Sequence, residues 1–255
     1  MPARMKLFQY WDGPQPPADV AELIAGFRDR NPELEHHLFD EAAAAEFIAT
    51  HFGAREHAAF RSLAVPAMQS DYFRLCALHQ HGGVYVDADF ESRAPLVGLL
   101  DRAPHGLVLM LFNEIVNGLL LVRRPRDPFI GACLKLATDN IAERRFYDPA
   151  RARLQDIRLT AGLGPLNAIG ALIDEVCPDP STTELPEELV RRWDAPELLA
   201  FARESIEVTP ELVGSFRSLT RLHVLETVRW MGDPDPAYKA TERHWPRWKT
   251  SIYRD

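Results

Sequence analysis

Long apolar runs are missing from this sequence of 255 residues. No stretch approaches the roughly 20 residues that a helix needs to cross a bilayer. Dense lysine and arginine runs are missing too, and with 29 Lys+Arg against 37 Asp+Glu the formal net charge is −8. Non-specific binding to nucleic acid needs a basic surface, so no nucleic-acid partner is expected. Cysteine is scarce: Cys76, Cys133 and Cys177 are odd in number and far apart. They show neither a metal-type spacing nor a disulfide framework, which suits a reducing compartment. The opening Met1-Pro2-Ala3-Arg4-Met5-Lys6 lacks the apolar core of a signal peptide. The expectation is a cytoplasmic location, with peripheral association as the closest approach to a membrane. A net negative chain can still bind a phosphorylated ligand, given local positive charge or a metal.

What is present is a strand and helix alternation. Lys6–Trp11 reads as an opening strand, stopped by Asp12-Gly13-Pro14. Val20–Arg30 has helical spacing, Leu34–Phe39 reads as a second strand, and Glu41–His51 and Arg55–Leu63 read as helices. Pro66 suits a first helical turn. The helix it begins runs to His81 and ends at Gly82, a natural C-terminal glycine. Val84–Val86 follows as a short strand; Leu107–Phe112 and Ile115–Val122 are strands around an Asn113-Glu114 turn. Pro128–Arg145, Ala150–Arg158 and Pro165–Val176 read as helices, and Leu185–Ala202 as helix plus loop. Ile206–Val208 and Leu222–Leu225 read as short strands, with an irregular tail from Asp233. Such alternation predicts an α/β fold in which helices flank a mainly parallel mixed sheet. Ligands of such sheets gather at the carboxyl ends of the strands. The length suits one domain with a real core.

The stretch His81-Gly82-Gly83-Val84-Tyr85-Val86-Asp87-Ala88-Asp89-Phe90-Glu91 carries the chemistry. In an extended chain the side chains of Asp87 and Asp89 point to the same side. Two neighbouring carboxylates repel unless a cation or proton lies between them, and a hard divalent cation uses such oxygens. A plain turn is the alternative, because Asp favours turns for local reasons; spacing alone leaves both readings open. In the preceding helix Met68, Tyr72, Leu75 and His79 share a face, and Asp71 and Arg74 are neighbours on another. That pair is either a surface ion pair or a carboxylate and a positive charge set toward a ligand.

Taken in order, Ser70-Asp71-Tyr72-Phe73-Arg74 and Gly82-Gly83-Val84-Tyr85-Val86-Asp87-Ala88-Asp89 resemble the sugar-binding Asp-x-Asp region of glycosyltransferase family 32. A related pattern occurs in the clostridial glucosylating toxin domains. Upstream, Phe8-Gln9-Tyr10-Trp11-Asp12-Gly13 is similar to the family's opening strand, and Asn31-Pro32 with Leu38-Phe39-Asp40 to its second segment. Downstream, Asn117-Gly118 lies where the family places an asparagine near the donor. Thr160-Ala161-Gly162-Leu163-Gly164-Pro165 is a loosened form of its Thr-Gly-Pro segment, and His244-Trp245-Pro246-Arg247-Trp248 resembles its terminal His/Trp segment.

The resemblance implies a GT-A fold, Rossmann-like, over the whole chain. A donor-binding part would run to about residue 125, with an acceptor-side and closing part beyond it. It implies transfer of a hexose from a UDP- or GDP-sugar to a glycan, lipid-linked or protein acceptor, with retention of configuration, beside a polysaccharide machine. It implies Mn²⁺ or Mg²⁺ on Asp89, with Asp87 as a second ligand or on the ribose or sugar, and His244 as a further ligand or a phosphate partner, to neutralise the leaving diphosphate. Asp87, Asp89 and Arg74 are the catalytic candidates. Trp11, Asp71, Arg74, Tyr85, Asp87, Asn117, Trp245 and Trp248 are the candidates for donor binding. For several of these a plain structural role stays open: Trp11 and Tyr85 as core, Trp245 and Trp248 as anchors of the tail. Adjacent strand histidines face opposite ways, so His36-His37, and equally His79 and His81, are expected to be solvated or packed. Arg123, Arg124 and Arg126 read as a solvated loop. Two other classes fit parts of the pattern. A haloacid-dehalogenase-type phosphatase also has Asp-x-Asp after a strand, but normally with Thr or Val where Glu91 stands. A non-catalytic nucleotide-sugar-binding relative is the other, and the intact Asp71, Arg74, Asp87 and Asp89 argue against it.

Overall fold

The computed structural model describes residues 4–111, 114–147, 153–178, 196–222, 228–229, 236–241 and 244–254. Strand β1 (Lys6–Tyr10) is followed by α1 (Ala18–Arg30), β2 (Glu35–Phe39), α2 (Glu41–His51), α3 (Ala54–Ser62) and α4 (Pro66–His81). Helix α4 starts on Pro66, whose missing N–H costs nothing in a first turn. It stops at Gly82, where φ 65° and ψ −162° lie in a region that glycine alone takes readily. The expected face of Met68, Tyr72 and Leu75 is buried, but so are Phe73, Cys76, Ala77 and Leu78. A helix buried nearly all round is central to a fold rather than laid on its surface.

Strand β3 (Gly83–Val86) comes next, then β4 (Glu91–Ser92), α5 (Val97–Arg102), β5 (Gly106–Leu111) and β6 (Glu114–Val122). The second half contributes α6 (Pro128–Ala142), α7 (Arg153–Thr160), α8 (Leu163–Val176), α9 (Pro196–Ser205), α10 (Pro210–Arg217), β7 (Thr220–Leu222) and β8 (Val228–Arg229). Two 3-10 turns, Ala237–Ala240 and Trp245–Arg247, lie near the end. The six-stranded sheet has the order β2-β1-β3-β6-β5-β7. The pairs β1–β2, β1–β3 and β5–β7 are parallel, while β6 runs antiparallel to both β3 and β5. The expected mixed, mainly parallel sheet between helices is therefore the one found. Strand alternation divides the core. Phe8, Tyr10, Tyr85, Val108 and Leu120 meet α4, α6 and α8 on one face. Leu7, Val84, Val86, Leu119 and Leu121 meet Phe27 of α1 and Leu99 and Leu100 of α5 on the other.

Several expectations are corrected. Ile206–Val208 forms no strand; it leads into α10, whose start is capped by the Thr209 hydroxyl accepting from the Leu212 N–H at 3.2 Å. Of the strand placed at Leu222–Leu225, the described part is Leu222, the last residue of β7, which begins earlier, at Thr220, and pairs in parallel with β5. Helix α6 ends at Ala142 rather than Arg145, because Arg144 adopts φ 47°. Helix α8 begins at Leu163, with Pro165 still inside the first turn, where proline is tolerated. The short β4 and α5 were not expected. Of the expected elements, 112–113, 150–152, 185–195 and 223–225 lie outside the described residues. The irregular tail is anchored: Tyr253 bridges to Leu63, and Arg254 donates to the Ser62 carbonyl at 2.7 Å and to Glu41 at 2.8 Å. Among the described residues no helix is long and apolar enough to cross a membrane.

Candidate active site

A cavity of about 540 Å³ opens at the carboxyl ends of β1 and β3. Trp11 and Asp12 enter it from the end of β1, and Asp87 through Phe90 from the end of β3. Strand β6 runs the opposite way, so its early residues Val116, Asn117 and Gly118 reach the same edge. Helix α4 adds Ser70, Asp71 and Arg74; Arg158 of α7 and Leu163 of α8 close one side. Tyr238, Lys239, His244 and Pro246 complete the lining.

Arg74 is the hub of the floor. It is 2% exposed, and its Nη2 lies 2.8 Å from Asp71 Oδ1 and 2.9 Å from Asp87 Oδ1. It also donates to the Ser70 hydroxyl at 3.2 Å and, through Nη1, to the Asn117 carbonyl. The Asn117 amide donates to Asp71 Oδ1 at 2.8 Å. The chain N–H of Asp87 donates to the Gly118 carbonyl at 2.9 Å. Gly162, at the start of α8, approaches so closely that a Cβ there would sit 3.0 Å from the Asn117 amide and from Asp71 Cβ. The expected Thr-Gly-Pro-like segment thus abuts the same cluster. Asn167 of α8 steadies the strand above it, accepting from the Ile115 N–H at 2.7 Å and donating to the Ile115 carbonyl at 2.9 Å.

Electrostatics follow from this burial. Burial works against the Arg74 charge, yet Asp87 and then Asp71 hold its pKa above the ordinary value. Burial pushes Asp71 up, with Arg74 and Asn117 pulling back. Burial likewise pushes Asp87 up, to about 7; Arg74 opposes and the charge of Asp89 adds. The charge of Asp89 thus bears on Asp87, and a cation placed between two such carboxylates would relieve the repulsion.

Asp89 faces the tail. Its Oδ2 accepts from the Tyr238 hydroxyl at 2.8 Å and lies 2.9 Å from Lys239 Nζ. Tyr238 also meets the Trp11 ring edge-on at 5.1 Å, and His244 at 6.1 Å. Burial, then Lys239, pushes the His244 imidazole below its ordinary value. Tyr238 and Lys239 belong to the site but were missed in the sequence. No motif surrounds them, and their signal is a contact with Asp89 far away along the chain.

The structure brings together Trp11, Asp71, Arg74, Asp87, Asp89, Asn117 and His244. It separates two others. Tyr85 is fully buried and lies outside the cavity lining; its ring sits 4.5 Å from the Arg74 guanidinium and its hydroxyl 2.6 Å from that of Ser70. Of its two open roles the core one is realised: on the same side of β3 as Asp87, it lies buried beneath the Arg74 guanidinium rather than in the lining. Trp248 is also outside the lining: its indole N–H donates to the Ser251 carbonyl at 3.1 Å, and it packs on the core as a tail anchor. The Trp245 side chain lies outside the described residues. Elsewhere, His37 and His81 stack on Phe8 at 5.8 and 6.1 Å, so they are packed.

Among the described residues no three His, Cys, Asp or Glu side chains converge as metal ligands, so His244 does not join the aspartates in a cage. The two crowded carboxylates still suit a hard ion that takes its other ligands from water and a diphosphate.

Residues 17–105 match the family described as glycosyltransferase sugar-binding region containing DXD motif. The Ser70 to Asp89 string lies inside the matched span, and the resemblance drawn from it stands. No curated protein matches the chain. Among solved structures, one described as PaToxG glycosyltransferase is similar, with 14% identity over 84% of this chain and 86% of the other, at a TM-score of 0.49.

Proposed function

Because the chain carries a glycosyltransferase domain with an Asp-x-Asp region, we propose that it moves a hexose from a UDP- or GDP-sugar to a glycan, lipid-linked or protein acceptor. The single observation that carries the reading is the convergence of Asp71, Arg74, Asp87, Asp89 and Asn117 on one cavity at the strand ends. In this reading the chain is one GT-A domain, in which residues up to about 125 hold the donor and the rest closes over it.

A divalent cation, Mn²⁺ or Mg²⁺, held by Asp89 with Asp87, would supply neutralisation of the leaving diphosphate. The chain's own residues do the positioning. Trp11 walls the base end. Asp71 is held through Oδ1 by Arg74 and Asn117 and offers its other oxygen to a sugar hydroxyl. Arg74 fixes Asp71 and Asp87 in one geometry, so the anomeric carbon meets a prearranged floor. Tyr85 acts beneath Arg74 as a positioning residue. Asp71, Asp87 and Asp89 are each engaged with Arg74 or Lys239, which supports donor-binding roles over nucleophilic ones. Retention then follows by same-face displacement. The bond from the anomeric carbon to the diphosphate breaks, the acceptor oxygen bonds on that face, and its proton passes to the leaving phosphate.

The test is donor hydrolysis with a panel of activated sugars, with and without Mn²⁺. Metal-dependent release of nucleoside diphosphate supports the transferase. Release of inorganic phosphate from simple monoesters, or tight donor binding without turnover in the presence of acceptors, overturns it.

A further inference from the structure

The wall of the cavity contains an ion pair to which donor binding assigns no role. Lys239 Nζ lies 2.9 Å from Asp89 Oδ2, with the lysine side chain 10% exposed and the aspartate 18%. Lysine is rarely so covered unless something holds its charge. The Tyr238 hydroxyl donates to the same oxygen at 2.8 Å. One carboxylate oxygen thus takes two donors from consecutive residues. The turn that bears them is fixed on both sides: the Ala237 N–H donates to Asp19 Oδ2 at 2.7 Å, and Arg247 Nε donates to the Lys239 carbonyl at 3.1 Å. The ammonium is therefore placed, and it is placed on the carboxylate assigned to the metal.

We propose that Lys239 is the counter-ion of Asp89 in the donor-free protein and a diphosphate ligand in the loaded one, so that the ammonium and a divalent cation compete for one carboxylate. The inference rests on the reading of the cavity as a nucleotide-sugar site. Its physical basis is charge balance. One carboxylate neutralised by an ammonium is a poor site for a second cation, since the two cations repel at short range. A diphosphate adds enough negative charge for both. With donor bound, metal and ammonium cooperate; without it, they exclude each other. Metal alone then binds weakly, and the cation is admitted together with the donor.

The proposal gives one substitution two effects of opposite sign. Lys239→Met removes the charge and keeps the stem. Mn²⁺ alone, followed by loss of the free-ion electron paramagnetic resonance signal, is expected to bind the variant about tenfold tighter than wild type. UDP, GDP, ADP and dTDP, titrated calorimetrically in chelator, are expected to show the best-bound nucleotide weakened about tenfold in the variant. Lys239→Arg, which keeps the charge, is expected to bring both values back toward wild type. Should Lys239→Met fail to fold by circular dichroism, Lys239→Gln is read in the same two titrations. Mn²⁺ affinity that is unchanged or weaker without the lysine charge overturns the competition, and nucleotide affinity that is unchanged overturns the diphosphate contact. Wild-type protein that binds none of the four nucleotides, with or without metal, overturns the donor reading itself.

Discussion

A guanidinium buried as deeply as that of Arg74 keeps its charge because Asp87 and Asp71 stand beside it. Its planar fork also satisfies the Ser70 hydroxyl and the Asn117 carbonyl. An ammonium is a point charge and cannot meet four acceptors in one plane. Arg74→Lys is expected to fold but to release nucleoside diphosphate from its best donor about 100-fold more slowly, since misplacement of about 1 Å has that effect. Steady-state kinetics on the purified variant checks it. Gly118 makes a separate point about space. A Cβ there would come 2.4 Å from Phe90 Cζ and 2.7 Å from Asp87 Oδ2. Gly118→Ala must push the carboxylate aside, and overpacking of this kind costs about 1–3 kcal/mol. Turnover is expected to fall at least as far as donor affinity, read as separate kcat and KM values. Unchanged kinetics would show that Asp87 has slack that the geometry denies it.

At the level of elements, legibility followed burial and punctuation. Helix α4 and strand β3 were readable because Pro66 and Gly82 mark the boundaries and the apolar residues between them face a core. Strand β4 and helix α5 are short, and their identity comes from partners, β8 in the one case and the packing of Leu99 and Leu100 in the other. Ile206–Val208 has strand-like composition, but the Thr209-Pro210 start signal of α10 claims the backbone that follows. Within the site, Asp71, Arg74, Asp87 and Asp89 were placed because they lie on or directly after two well-punctuated elements, but their role, like the choice of Asn117, was legible only through the resemblance their order carries. Tyr238 and Lys239 were not, because a 3-10 turn of the sequence Ala-Tyr-Lys-Ala carries no pattern of its own. The boundary glycine offers the test at this scale. Gly82→Ala forces a side chain into φ 65° and brings Cβ to 3.0 Å from the Val122 carbonyl. The expected loss is about 1–3 kcal/mol in urea unfolding, with donor affinity of the remaining folded protein little changed.

Across the whole molecule, stability is tied to the edge strand β2. Burial, with help from Arg28 and His37, pushes the His36 imidazole down from 6.5 to about 4. Its Nε2 lies 2.9 Å from Gln9 Oε1 on β1. The unfolded chain takes a proton near the ordinary value while the folded one refuses it until about 4, so this contribution is whole above 6.5 and is lost as pH falls toward 4. Urea midpoints at pH 7.5 and pH 5 are expected to differ less in His36→Gln than in wild type; equal differences would remove His36 from the acid sensitivity. A last consequence concerns how the sheet finds its alignment. Val84 to Val86 on β3 and Leu119 to Val122 on β6 are apolar on both faces. Sliding one past the other by a residue would bury as much hydrocarbon as before, so hydrophobicity alone leaves that alignment weakly specified. What distinguishes the native offset is polar: only in this register does the Arg74 guanidinium reach both Asp87 at the end of β3 and the Asn117 carbonyl on β6. The cavity end of the sheet is therefore also its ruler, and a change that disturbs the Arg74 cluster there also loosens the choice among neighbouring strand offsets.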